Sequence, residues 1–356
     1  MTTRRGFLAS LAAAATLPRA SWADMGAPAF LGVARVASGA YSLYGLDAEG
    51  SDLFAIPLPA RGHAAAAHPT APEAVVFARR PGRFALVLDC ATGGVTHRLD
   101  APPGRHFYGH GAFIAEGQIL CTTENHIDSG EGRIGLWSRA EGWRRIGEFA
   151  TGGIGPHDLK RLDGDVLVVA NGGIRTHPDH GRDKLNLETM RPSLAYVDPD
   201  GALLDQVELP SALHQNSIRH LAVGRSGTVA FAMQWQGAPT DAIPLLGIHR
   251  RGTTPVLGKA PPEELRAMKG YAGSIAIDAG GRIAITSPRG GRVQTFGADG
   301  AFLDAYERAD VCGVASHGAG FVISDGLGGL SFLLEAPVAL RRAADRAWDN
   351  HLVPLV

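Results

Sequence analysis

Three cysteines in 356 residues are too few and too scattered to staple a fold. Cys90, Cys121 and Cys312 form no Cys-x-x-Cys pair and cannot all be bridged, so a disulfide framework and a structural zinc ribbon are excluded. Charge of one sign is also missing. Lys and Arg number 34 against 35 Asp and Glu, and a net charge of -1 argues against a dedicated nucleic-acid binder, which carries a basic excess. Charged residues reach only 19% against 45% apolar, which excludes a disordered chain. Several catalytic devices are absent. There is no Gly-x-Ser-x-Gly elbow, no His-Glu-x-x-His, no P-loop and no Cys-x-x-Cys-His, and no Gly-x-Gly-x-x-Gly follows a strand and opens a helix. A serine hydrolase is therefore unsupported.

Glycine is what the chain has in excess: 47 residues, with 22 proline. A chain that turns so often favours many short strands over long helices.

The N-terminus reads as an address. Arg4-Arg5 precedes an apolar run from Phe7 to Leu17, and Ser21 and Ala23 offer small residues at a cleavage site before Asp24. This is the pattern of a twin-arginine signal peptide, and the run is shorter than the roughly 20 residues a spanning helix needs. Residues 1–23 are expected to be removed, leaving 24–356 without a transmembrane segment in the periplasm. In that oxidising compartment Cys90 and Cys121 could pair, although buried free thiols are the simpler expectation.

Internal repetition follows. Gly62-His63-Ala64, Gly109-His110-Gly111, Pro156-His157-Asp158 and Arg219-His220-Leu221 each open a strand–turn–strand unit, with the histidines 47, 47 and 63 residues apart. Two further units begin at Gly273 and Cys312 without histidine. In one of them, Ile275–Ile277, Ile283–Thr286, Val293–Phe296 and Phe302–Tyr306 are separated by Gly-Gly and Asp-Gly turns, which are hairpin signals. Units of about 40–50 residues with four strands have the period of a β-propeller blade. Six units fill about 62–336, and strands at about 28–60 are expected to pair with Leu352 to Leu355 and close a seventh blade. The expected fold is all-β: a single-domain, seven-bladed β-propeller. Polar insertions are expected at about 172–192 and 238–269, the second with a short helix over Pro261–Met268.

In a propeller the first strand of each blade lines the central channel, so matching positions form a ring. His63, His110, His157 and His220 hold such positions, and neutral imidazoles converging on one axis suit Fe, Cu or Zn. Glu124 could complete the site, with His106 and Asp158 nearby as ligands or as acceptors for an imidazole N–H. The alternative is a set of structural histidines bonded to Ser, Thr or Asp. A second polar concentration includes Asn171, Arg175, His177, His180, Arg182 and Arg191. There His177 and His180 could chelate a metal, or the arginines clamp an anion. Gln234, Tyr271 and Arg289 mark a third, suited to lining one mouth of the channel for a polar organic ligand.

Several motifs occur in order: His106-Phe107-Tyr108-Gly109-His110-Gly111, Thr122-Thr123-Glu124-Asn125, Gly153-Ile154-Gly155-Pro156-His157-Asp158 and Ala170-Asn171-Gly172-Gly173-Ile174. They continue with Thr176-His177-Pro178-Asp179, Arg191-Pro192-Ser193-Leu194, Ser217-Ile218-Arg219-His220-Leu221, Gln234-Trp235-Gln236-Gly237 and Thr286-Ser287-Pro288-Arg289-Gly290-Gly291. Over about 28–336 the chain resembles the bacterial domain-of-unknown-function 1513 family. The resemblance implies a seven-bladed propeller encoded near imelysin-like and dihaem oxidoreductase-like periplasmic proteins as partners, and hence a role in iron acquisition or handling. It carries over no catalytic residue. The expectation is a periplasmic propeller that binds a transition metal, iron first and Cu or Zn otherwise, in a histidine-rich channel. The alternatives are a non-catalytic interaction scaffold and, further off, a metal-dependent lactonase-like hydrolase or an oxidoreductase.

Overall fold

The computed structural model describes residues 20–79, 83–181, 183–334, 337–342 and 345–355. It contains seven four-stranded antiparallel sheets arranged as the blades of a propeller. The second blade is built from Gly62–Ala67, Glu73–Ala78, Phe84–Asp89 and Gly94–Asp100. The third is built from Arg105–Ile114, Ile119–His126, Glu131–Ser138 and Arg144–Ile154. The fourth runs Pro156–Arg161, Leu167–Asn171, Ser193–Val197, Leu203–Glu208, and the fifth runs Asn216–Val223, Val229–Trp235, Leu246–His249, Val256–Leu257. Ser274–Ile277 opens the sixth and Val311–His317 the seventh.

The hairpins follow from local chemistry. Asp198 ends a strand, and its Oδ1 accepts from the N–H groups of Asp200 and Ala202 at 3.0 and 2.8 Å. Gly201 then takes φ = 92°, which a side chain would resist, and the chain reverses. Asp47 and Asp278 hold their turns in the same way. Alternation along each strand places apolar side chains between neighbouring blades. One such cluster joins Phe77, Phe107, Phe113, Trp137 and Trp143 between the second and third blades. Each large side chain buried in this way contributes about 1.5–3 kcal/mol.

The first blade closes the ring. Its outer strands are Phe30–Val36, Tyr41–Leu46 and Asp52–Leu58, and its innermost strand is the C-terminal Arg346–Pro354. The register runs from Phe30↔Pro354 to Val36↔Arg346, so the closing strand begins several residues before Leu352. Phe30, Trp348 and Leu352 then pack with Val322 of the seventh blade, which joins the first blade to the last.

The two stretches expected as insertions differ in kind. Residues 172–181 and 183–192 lie in a loop between the second and third strands of the fourth blade, with two short 3₁₀ turns. Residues 238–269 are not insertion alone: they also supply the two outer strands of the fifth blade, besides the helix Pro262–Ala267. Those strands are short, four and two residues, which hid them among the surrounding glycines and prolines. Cys90, Cys121 and Cys312 are buried free thiols, so Cys90 and Cys121 do not pair. Burial pushes the Cys90 thiol up to about 12. Among the described residues no helix is long and apolar enough to cross a membrane. Of the expected signal segment, 1–19 lie outside the described residues. Trp22 packs at the edge of the first blade's core and donates from Nε1 to the His68 carbonyl at 2.8 Å.

Candidate metal centre

Five consecutive blades each deliver one histidine to the channel: His351, His63, His110, His157 and His220, in order from the first blade to the fifth. Neighbouring ring centroids lie 5.0, 4.9, 5.2 and 4.8 Å apart, and His220 returns to His351 at 4.8 Å. The result is a compact cluster of five imidazoles: across it His110 also lies 5.0 Å from His351 and 5.8 Å from His220, and His63 lies 5.6 Å from His157. Two sets of three have nitrogens within 4.8 Å of one another: His63, His110 and His351, and His110, His157 and His220. His110 belongs to both.

Backbone irregularity aims them. In every strand that carries one of these histidines the ladder shifts register beside it: between Gly62 and Ala65, Phe107 and Gly111, Pro156 and Asp158, and Ile218 and His220. In the closing strand the shift falls between Leu352 and Trp348. A β-bulge turns a side chain out of the strict in–out alternation. Here five bulges turn five imidazoles toward one point. The carbonyl of His110, left out of the ladder, accepts from the Thr123 hydroxyl at 3.1 Å. A Cβ on Gly109 would come within 2.5 Å of His63 Cδ2, so only glycine lets the His63 ring lie against that backbone.

The electrostatics favour neutral rings. Burial holds His63, His157, His220 and His351 well below the ordinary histidine value; neighbouring imidazoles and cations push the same way, and Asp158 opposes them at His220 and His351. Four ring nitrogens have no hydrogen-bond partner among the described residues: Nδ1 of His63, Nε2 of His110, Nδ1 of His220 and Nε2 of His351. His157 Nδ1 lies 3.5 Å from the Arg219 guanidinium. Asp158 is the acid of the site. Its Oδ1 is 3.2 Å from His110 Nδ1 and 3.1 Å from Lys160 Nζ, and its Oδ2 accepts from the Leu221 N–H at 3.0 Å. Lys160 and the adjacent histidines hold the Asp158 carboxyl well below its usual range even against burial. An ionised acceptor at Nδ1 leaves His110 Nε2 with its lone pair directed into the cluster. Beyond the ring, a cavity of about 380 Å³ with walls of Ala64–Ala67, Leu221–Val223 and Ile275 reaches His110, His220 and His351.

The family described as "Protein of unknown function (DUF1513)" matches residues 56–355. The chain belongs to the DUF1513 family. No curated protein matches it. Solved structures resemble it in fold. BamB from Moraxella catarrhalis is 13% identical with a TM-score of 0.53, over 89% of this chain and 90% of that one. KlHsv2 with loop 6CD replaced by a Gly-Ser linker is 10% identical with a TM-score of 0.51, over 88% and 90%. A chain of the Mitotic Checkpoint Complex is 11% identical with a TM-score of 0.53, over 83% and 76%.

In this DUF1513 protein the four histidines expected at the channel do come together, and Asp158 joins them through His110. His351 was not among the expected residues. It directly precedes Leu352, where the closing strand was expected to start, and extending the channel rule to that strand would have found it. Glu124 does not join. It lies over Gly135 inside its own blade, fully buried, with Oε1 accepting from the Thr122 hydroxyl and Oε2 from Arg145, both at 2.8 Å. Burial raises its carboxyl against the pull of Arg145.

The other expected residues disperse. His106 packs its ring 5.7 Å from Tyr108, outside the histidine cluster. Asn171 is a fastener, donating to the Thr151 carbonyl at 3.0 Å and to Ser193 Oγ at 3.3 Å. His177 and His180 lie with their rings 5.7 Å apart, and His177 Nδ1 accepts from the Asp179 N–H. No third metal-ligating residue joins them among the described residues. Arg182 lies outside the described residues. Arg191 pairs with Glu208, and Arg175 donates to the Asp128 carbonyl, so neither clamps an anion with the other. Gln234 pairs with Tyr271, whose ring lies 4.5 Å beneath the Arg289 guanidinium, so these three do form one group.

Proposed function

We propose that this protein binds a transition-metal ion through the cluster of five histidines. The observation that carries the reading is the set of four buried imidazole nitrogens without partners. A buried acceptor left unsatisfied costs about 1–3 kcal/mol, and a metal ion removes that cost at several positions at once. Neutral imidazoles suit Fe(II), Cu and Zn, whereas Mg and Ca take oxygen donors. His110, held by Asp158, has the arrangement of a ligand oriented by an outer carboxylate. Iron is the ion this reading puts first, because the family resemblance points to iron handling in the periplasm, with imelysin-like and dihaem oxidoreductase-like proteins as the partners to test. The role is acquisition or handling of the ion rather than a reaction performed on a substrate.

The direct test is elemental analysis of the exported protein, together with Fe(II) loading under anaerobic conditions and Co(II) as a spectroscopic probe. The expected result is about one equivalent of metal, lost in the triple variant His110→Ala, His157→Ala, His220→Ala while the circular dichroism spectrum is unchanged. No bound Fe, Cu, Zn or Co in the native chain overturns the proposal.

Asp158→Asn supplies a finer test. Its amide cannot hold His110 with the same charge, and changes to such outer carboxylates weaken metal binding by about 10–100-fold. Isothermal titration with Zn(II) reads this directly, and an unchanged affinity would assign Asp158 to packing alone.

A further inference from the structure

The ligand sets of the cluster contain no acid. Among the described residues, neither set of three includes a carboxylate or a thiol. Glu124 is held inside its own blade by Arg145, and Asp158 stands behind His110 with its charge shared by Lys160. A divalent ion on neutral imidazoles alone would keep its full charge in a buried place, where an uncompensated charge is costly. Three imidazoles also leave a four-coordinate ion one position for an outside ligand.

The channel offers that position a chamber. The cavity of about 380 Å³ is lined by His110, His220 and His351, but not by His63 or His157. Each set of three therefore has two members on the cavity side. Away from the histidines the walls are largely apolar, with Ala64–Ala67 from one blade and Val223, Ile275, Val314 and Leu352 from four others. A second cavity of about 330 Å³ adjoins the first. The two share Val223, Ile277, Ser316 and Pro354, and no channel histidine lines the second. Together they make one passage leading away from the cluster. Lys160 lies on the wall of the first and bonds Asp158, while Arg161 on the same wall pairs with Asp165. An apolar chamber with a few placed polar groups is the character of a small-molecule site.

We propose that this chamber binds a small organic carboxylate with an apolar body, whose carboxylate completes the coordination of the ion on the histidines. Such a ligand rests on the metal reading and adds a second component to it. A carboxylate oxygen joins imidazole as a ligand of Zn and Fe(II). Its charge offsets that of the ion, which no protein acid in the cluster does. The apolar body lies along the alanine wall toward Ser316, where the two chambers meet.

The experiment loads the full chain with Co(II) and titrates it with acetate and with hexanoate, using hexanol as the uncharged control. The visible spectrum of Co(II) reads coordination, and calorimetry compares the loaded and the metal-free chain. Both anions are expected to shift the spectrum, hexanoate at about tenfold lower concentration or less, because its extra methylenes leave water. Hexanol leaves the spectrum unchanged, and the metal-free chain binds hexanoate more weakly than the loaded one. Ser316→Phe fills the place where the chambers meet and is expected to weaken hexanoate more than acetate, with Co(II) affinity at its native value. The comparison of acetate with hexanoate on the native chain decides the matter even where that variant melts early. Equal affinity for the two anions overturns the apolar chamber as the site. A Co(II) spectrum indifferent to both anions overturns the proposal and leaves the metal centre standing. A chain that takes up no Co(II) overturns both, so the two failures are read separately.

Discussion

His110→Ala is expected to cost the protein its metal at every part of the cluster, whereas His63→Ala and His157→Ala weaken binding and leave it measurable. His110 is the one residue shared by the two sets of three nitrogens, so its loss reduces both to pairs. The other two changes each leave one set intact. The shared imidazole is also the one oriented by Asp158. The expected loss for His110→Ala is about a hundredfold or more, or about 2.7 kcal/mol. For the other two the expected loss is about tenfold. Competition between the protein and a chromophoric chelator for Zn(II) measures all three. A thermal melt with and without metal gives a second readout, since an ion at a hundred times its dissociation constant stabilises by about 2.7 kcal/mol. Equal losses for the three variants would remove His110 from its central place.

Acid is expected to destabilise the metal-free fold over a window that begins near pH 6.5 and extends downward. The sign follows from linkage. His63, His157, His220 and His351 have folded-state values well below 6.5, the value an unfolded histidine keeps. As pH falls through 6.5 the unfolded chain takes up protons that the folded chain refuses, so unfolding is favoured. Each such histidine contributes a slope of up to about 1.4 kcal/mol per pH unit. Asp158 titrates elsewhere. Its lowered folded value stabilises the protein above 3.8 and is lost only as pH falls through that folded value, below the histidine window. Urea midpoints at pH 7.5 and pH 5.5 test this, with the triple variant His63→Ala, His157→Ala, His220→Ala as the control whose profile is expected to flatten. A native chain equally stable at both pH values would contradict neutral, buried imidazoles. From the folded chain, metal loss is expected only at lower pH, as the lowered folded-state values are reached, because protons and metal compete for the same lone pairs.

The repeat was legible because hairpin chemistry is local. Asp198 and Gly201 form their turn from a few adjacent residues, and so do Asp278 and its neighbours. The recurrence of histidine at the start of successive units was legible for the same reason. The ring closure was half legible. Leu352 was expected to pair with the first strands and does, but the closing strand reaches back to Arg346 and brings His351 with it. Glu124 shows the opposite case. It sits in a motif next to channel residues in the chain, yet its strand is the second of its blade, and its side chain turns to Arg145.

By itself the sequence determined the seven short-stranded units, their closure end to end and the presence of a histidine in four inner strands. Composition, turn residues and spacing act within a few residues of chain and need no partner. Only the tertiary structure decided which way those histidines point, because the register shift beside each one, of one residue at His63, His157 and His220 and of two at His110, re-aims the side chain and is set against the neighbouring strand. It also decided that His351, from the far end of the chain, joins the cluster, because ring closure pairs the C-terminal strand with the first strand of the chain.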